Sequence, residues 1–143
     1  MCGIAGVRNL TNSRGQLERD ALAMAHSLAY RGPDDHGLWA DADAGVALTH
    51  RRLSIIDLSP AGHQPMISAD GRFVITYNGE IYNFIELRRE LEARGTKFRG
   101  HSDTEVMLEA FAVYGIENTV KRFIGMFAIG VWDRHNRTLT LES

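Results

Sequence analysis

Arg72-Phe73-Val74-Ile75-Thr76-Tyr77-Asn78-Gly79-Glu80-Ile81-Tyr82-Asn83, residues 72–83, is the stretch that decides the fold class of this 143-residue chain. Its first half is β-branched and aromatic, the strongest strand signal in the sequence. Asn78-Gly79 follows at once, and alone that pair reads as a hairpin turn. The next element is instead a helix. Asn83 and Glu86 have capping-box spacing, and Phe84, Leu87 and Leu91 fall on one helical face until Gly95. Working toward the C-terminus, Ser102 and Glu105 open a second helix that should bury Val106, Ala110 and Val113 before Gly115. A short helical stretch at 117–123 leads to a strand at 126–133, a turn at His135-Asn136 and a last strand at 138–141. Toward the N-terminus, residues 58–65 hold two prolines and a glycine and read as an ordered loop. Strands are expected at 36–40 and 45–50. Leu17, Ala21, Met24 and Leu28 recur as one face of an amphipathic helix, which must stop before Pro33 because the residue preceding a proline resists helical geometry. Ile4, Ala5 and Val7 make a short first strand, ended by the turn-rich residues 9–15. Strands in pairs and runs with helices between them argue for an α+β fold with largely antiparallel sheets.

One domain fits this length, and an apolar content of 44% with 24% charged residues is ordinary for a globular protein. A net charge of -2 offers no basic face for nucleic acid and no polybasic anchor for a membrane. No uncharged stretch approaches the roughly 18 residues that a spanning helix needs, and the N-terminus lacks the pattern of a signal peptide. A single cysteine excludes an internal disulfide framework and fits a reducing compartment, so a cytoplasmic protein is expected. The six histidines show no short ligand pairing, and no glycine-rich phosphate loop with lysine is present. Neither a metal nor a nucleotide is expected in these residues.

That one cysteine is Cys2, in Met1-Cys2-Gly3-Ile4-Ala5-Gly6. A small second residue is the usual condition for removing the initiator methionine. A chain starting at Cys2 would carry a thiol and a free α-amine on one residue. An α-amine with a pKa of about 7.7–8.0 is half-neutral near physiological pH and can take the thiol proton, directly or through one water. Taken alone, the hexapeptide fits a nucleophile and the first apolar strand equally well. If Met1 stays in place, the amine is locked in a peptide bond and the thiol keeps its ordinary pKa of about 8.5.

Four further motifs accompany Cys2: Arg31-Gly32-Pro33-Asp34, the run from His50 to Asp57 (His-Arg-Arg-Leu-Ser-Ile-Ile-Asp), Asn78-Gly79-Glu80-Ile81-Tyr82-Asn83, and Ser102-Asp103-Thr104-Glu105. Together with the N-terminal cysteine they resemble the glutamine-hydrolysing domain of class II glutamine amidotransferases, which are N-terminal-nucleophile hydrolases. Arg-Gly-Pro-Asp and Asn-Gly-Glu-Ile-Tyr-Asn look like the asparagine synthetase branch, and the resemblance runs from Cys2 to about Leu139. It implies a four-layer α/β/β/α sandwich with mostly antiparallel sheets. It implies hydrolysis of L-glutamine to glutamate and ammonia through a thioester on Cys2, with the ammonia passed to an ATP-dependent synthetase domain.

Hydrolysis of a primary amide by a thiol needs a nucleophile with its base, an oxyanion site and substrate anchors. The resemblance gives the oxyanion to the Asn78 side chain and the Gly79 N–H, although Asn78-Gly79 by itself still reads as a tight turn. Arg52 has the forked guanidinium that binds a carboxylate bidentately, and the family pattern places it on the glutamine α-carboxylate, with backbone groups of Leu53, Ser54, Ile55 and Ile56 lining the pocket. In a strand Arg51 would point to the opposite face, and it reads as a surface charge. Glu80 and Asp103 would receive the substrate ammonium. An acid in the first turn of a helix is also explained by the helix dipole, and Ser102 with Glu105 accounts for the same segment as a cap. Arg31 to Asp34 is read as supporting structure near the nucleophile, or as a plain helix exit and turn.

Relatives in this branch continue past the last strand toward the synthetase domain, so this chain is expected to be truncated, with Leu141-Glu142-Ser143 partly foreign to it. ATP and Mg would belong to that absent domain. A strand ending at a cut edge would favour a homodimer. Two other readings stay open. One is a catalytically silent glutamine-binding or interaction domain, and the other is a glutaminase serving a different acceptor.

Overall fold

The computed structural model describes residues 1–54 and 60–143. Strands β1 (Gly3–Arg8), β2 (Asp35–Asp41) and β3 (Val46–Arg52) form an antiparallel sheet in the order β1-β3-β2. A second antiparallel sheet runs β4 (Met66–Ile67), β5 (Phe73–Ile81), β6 (Gly125–Asp133), β7 (Thr138–Glu142), in that order. Helix α1 (Arg14–Ser27) covers the outer face of the first sheet, and α3 (Asp103–Tyr114) covers β5 on the outer face of the second. Helices α2 (Phe84–Ala93) and α4 (Ile116–Val120) pack on α3, while β1 and β3 meet β5 across the inner faces. The result is the expected four-layer α/β/β/α sandwich.

Side-chain parity shows which residues look into the seam between the sheets. Leu48 of β3 packs with Val74 and Trp132 between the sheets, whereas its neighbour Ala47 packs against Leu17 and Ala21 of α1. On β5, Ile75 and Tyr77 face Met107, Leu108 and Phe111 of α3. Even-numbered positions of β3 and β5 therefore face the seam, a period-2 consequence of the pleat. Two polar links tie the sheets together there: the Thr76 hydroxyl donates to Thr49 O at 2.8 Å, and His50 Nε2–H donates to Tyr77 O at 3.0 Å.

The observed elements depart from expectation in several places, and the short strand β4 was not expected at all. β5 does not stop at Tyr77 but runs through Asn78-Gly79-Glu80 to Ile81, paired throughout with β6. The buried face of α1 is Leu17, Ala21 and Ala25, and Met24 is 37% exposed. Small side chains at 21 and 25 let the helix backbone approach the sheet, a packing choice that periodicity of large apolar residues does not show. Val113 is also exposed, because α3 buries the stripe through Val106, Met107, Ala110 and Phe111. Asn83 makes no cap bond; its side chain instead donates to Arg122 O at 2.8 Å and accepts from Ile124 N at 2.9 Å. The loop expected at 58–65 contains a 3-10 turn at Pro60–Gly62, and its residues 58 and 59 lie outside the described residues.

Candidate active site

Cys2 sits one residue before β1, half-buried, in the parity that faces the seam. Both main-chain groups of Leu53 fix its sulfur: Leu53 N–H donates to Sγ at 3.4 Å, and the thiol is 3.9 Å from Leu53 O. The Cys2 carbonyl in turn accepts Arg31 Nε–H at 3.2 Å. Thus the nucleophile candidate is held from two sides by segments about 30 and 50 residues away, through bonds that depend on β1 pairing with β3.

The Arg31-to-Asp34 segment is fastened along the end of β3. Asp34 N–H donates to Arg52 O at 3.0 Å, and the Asp34 carboxylate accepts Ser54 N–H at 2.7 Å. Arg51 Nε–H donates to Gly32 O at 3.0 Å, so Arg51 is half-buried and structural rather than the surface charge expected of it. Gly32 is required there, because a Cβ would stand 2.3 Å from the Arg51 carbonyl carbon. Sequence reasoning treated this segment as support and missed how directly it grips both Cys2 and the 51–54 backbone.

Arg52, the last residue of β3, has the seam-facing parity of Leu48 and His50, opposite to Arg51 as expected. Its guanidinium lies against Gly62, where an added Cβ would come 2.5 Å from Nη2. Beside it, Asp35 accepts from His63 Nδ1 at 2.7 Å and from the His36 N–H. Burial raises the Asp35 pKa, but those bonds and the nearby Arg52 charge prevail and hold it below the usual carboxylate value. Ile55 and Ile56, named with Leu53 and Ser54 as pocket lining, lie outside the described residues.

The second sheet contributes Asn78, Gly79 and Glu80 from one continuous strand. Asn78 has the seam-facing parity of Val74 and Thr76 and is half-buried; Gly79 and Glu80 are exposed. Gly79 has φ 144°, and a Cβ on it would fall 2.2 Å from Met126 O. The Asn-Gly pair is therefore neither a hairpin turn nor a strand end. It is a glycine-dependent distortion inside a paired strand, at a point where another backbone approaches closely.

Asp103 stands at the first position of α3 and accepts the Tyr77 hydroxyl at 2.9 Å. Ser102 caps the helix as expected, its hydroxyl accepting from Glu105 N at 3.2 Å. Glu105 leaves the capping box open, because its carboxylate takes the Arg99 and Gly100 N–H groups instead. Burial pushes the Asp103 carboxyl up, opposed by the bonds from Tyr77 and the Thr104 N–H. Burial, then the Asp103 and Glu80 charges, push the Tyr77 hydroxyl above its usual range. Both carboxylates singled out for a substrate ammonium therefore act on the same hydroxyl. Burial also pushes His50 down to about 4, so it is neutral at physiological pH and its Nε2–H serves Tyr77 O.

The candidate residues thus fall into two groups, on sheets that pack together through β1, β3 and β5. One is Cys2 with the 52–54 backbone, and the other is 78–80 with Asp103. Tyr77 and His50 were missed by sequence reasoning; the signal available was their place one residue before Asn78 and two before Arg52. Among the described residues no cluster of His, Cys, Asp and Glu could hold a metal ion. No helix among them is long and apolar enough to cross a membrane.

Comparison with known proteins gives the family and the fold. Residues 1–142 match the family described as glutamine amidotransferase domain. Asparagine synthetase [glutamine-hydrolyzing] 1 of Bacillus subtilis is 40% identical over 97% of this chain and 22% of its own length. Asparagine synthetase [glutamine-hydrolyzing] 2 of the same organism is 41% identical over 99% of this chain and 18% of its own length. This chain spans only about a fifth of those relatives. A solved structure of glutamine phosphoribosylpyrophosphate amidotransferase from B. subtilis superposes with a TM-score of 0.71 over 99% of this chain and 37% of the other, at 19% identity, and so shares the fold.

Proposed function

Since the chain belongs to the glutamine amidotransferase domain family, we propose that it hydrolyses L-glutamine to glutamate and ammonia through a thioester on Cys2. The reading is carried by one observation. The only thiol in the chain is seated by Leu53 N–H at 3.4 Å, next to Arg52, on the sheet whose β1 and β3 pack against the strand that carries Asn78 and Gly79. With Met1 removed, the Cys2 amine takes the thiol proton as sulfur attacks the side-chain amide carbon. The carbonyl π bond opens to an oxyanion, held by the Asn78 side-chain N–H and the Gly79 N–H. The proton passes to the departing nitrogen, the C–N bond breaks and ammonia leaves. Water then attacks the thioester, releasing glutamate and returning the proton to sulfur.

Arg52 binds the α-carboxylate in this reading, and Glu80 and Asp103 bind the α-ammonium. A buried carboxylate gains from a cationic partner, which the substrate supplies. The relatives' names favour an asparagine-synthetase-type use of the ammonia, in a separate region to which ATP and Mg would belong. The test is intact mass followed by ammonia release. Loss of the methionine mass, with release abolished in Cys2→Ala, supports the mechanism. Glutamine binding without turnover in a protein that keeps Met1 overturns it in favour of a silent glutamine-binding domain.

A further inference from the structure

The Tyr77 side chain points away from the seam, to the α3 side of β5, and is 4% exposed. Its neighbours hold it on three sides. Tyr77 N–H donates to the buried Gln64 Oε1 at 2.6 Å, Tyr77 O accepts from His50 at 3.0 Å, and the ring packs in the core beside Met107 and Phe111. From that fixed base the hydroxyl donates to Asp103 Oδ2 at 2.9 Å. The other oxygen, Oδ1, has the Thr104 hydroxyl at 3.5 Å, a much looser contact. A short carboxylate at a helix start has two χ angles to fix, and this hydroxyl fixes them from the strand that also carries Asn78 and Glu80.

We infer that Tyr77 is a positioning residue that aims Asp103 at the α-ammonium of the substrate, making the site selective for an amide substrate that carries an α-amine. The inference rests on the assignment of Asp103 under the proposed function. The hydroxyl fixes Oδ2, and Oδ1, with the looser Thr104 hydroxyl contact beside it, keeps acceptor capacity for a cation. One strand thereby supplies both the oxyanion donors and the setting of the ammonium anchor, so the two ends of the substrate are read in a common frame. Tyr77 touches no reacting atom in this account. Its effect is on binding.

The experiment compares Tyr77→Phe, Asp103→Asn and the double variant, using glutamine and glutaramate, which is glutamine without its α-amine. Tyr77→Phe should raise KM for glutamine about tenfold, with kcat kept, the loss expected of one charge-assisted hydrogen bond. With glutaramate it should change neither constant, and adding it to Asp103→Asn should change nothing further. An unchanged KM in Tyr77→Phe beside a raised one in Asp103→Asn overturns the inference and leaves the ammonium assignment standing. An unchanged KM in Asp103→Asn overturns the ammonium assignment itself. A fall in kcat with both substrates alike marks a merely structural Tyr77 and also overturns it. Should Tyr77→Phe fail to fold, the double variant, which removes the unpaired buried charge, is read against Asp103→Asn alone. Equal KM values support the coupling, and a further rise overturns it.

Discussion

Gly79 is the residue whose identity is least negotiable. Its φ of 144° lies outside the reach of ordinary side chains, and a methyl group would meet Met126 O at 2.2 Å. Gly79→Ala must either flatten the distortion or push β6 away. We expect a loss of about 2–4 kcal/mol in urea denaturation. Ammonia release should fall further than the folded fraction does, because the N–H proposed for the oxyanion moves with the backbone. Taken alone, the pair reads as a turn in the sequence, since Asn-Gly is a strong short hairpin signal. The pairing of Asn78 with Ala128 and Gly79 with Phe127 is a contact between residues about 50 apart, which no local window contains.

Among the elements, the segment from Arg31 to Asp34 behaves as a clamp on the end of β3. The exposed Asp34 carboxylate accepts Ser54 N–H at 2.7 Å, and Leu53, one residue before, holds the Cys2 sulfur. Asp34→Ala should therefore lower kcat/KM about tenfold while costing under about 1 kcal/mol of stability, since the lost bond is exposed. Steady-state kinetics beside a thermal melt separates the two effects. Most elements were legible in the sequence because hydrophobic period and punctuation agree in them. The first part of β5, residues 73–77, and the capped helix at Asp103 are examples, and so is the hairpin turn before Thr138. What stayed hidden were side chains used across elements. Asn83 bonds residues 122 and 124 rather than its own helix, Glu105 bonds residues 99 and 100, and Arg51 bonds Gly32. Spacing names the candidate donors and acceptors, and only the packed neighbours decide where each one goes. For the site, the residue types followed from motif and resemblance; the roles of Tyr77 and His50 required the second sheet to be in place.

At the scale of the whole molecule, His50 is a buried titratable group whose hydrogen bond crosses the seam between the sheets. It is 2% exposed, donates to Tyr77 O, and is pushed down to about 4 by burial, with Arg52, Asp35 and His63 as the nearby charges. The ordinary histidine pKa is about 6.5, so between pH 6.5 and 4 the unfolded chain binds a proton that the folded chain refuses. Stability must then fall as pH falls through that window, by up to about 3 kcal/mol from this group alone. Urea midpoints taken from pH 7.5 to 4.5 should show the slope. His50→Gln, which retains a donor of similar reach, should flatten it. Cys2 is bonded to partners 29 and 51 residues further along the chain, both flanking strands of its own sheet. Closing so long a loop precedes any reward from these contacts, which places the thiol's seat late in the order of assembly. The second sheet could form with its own helices and still leave the cysteine without a seat, because that seat depends on β1 pairing with β3. The seat of Cys2 thereby waits on the closing of the first sheet, and a molecule that has formed only the second holds its thiol without its anchors.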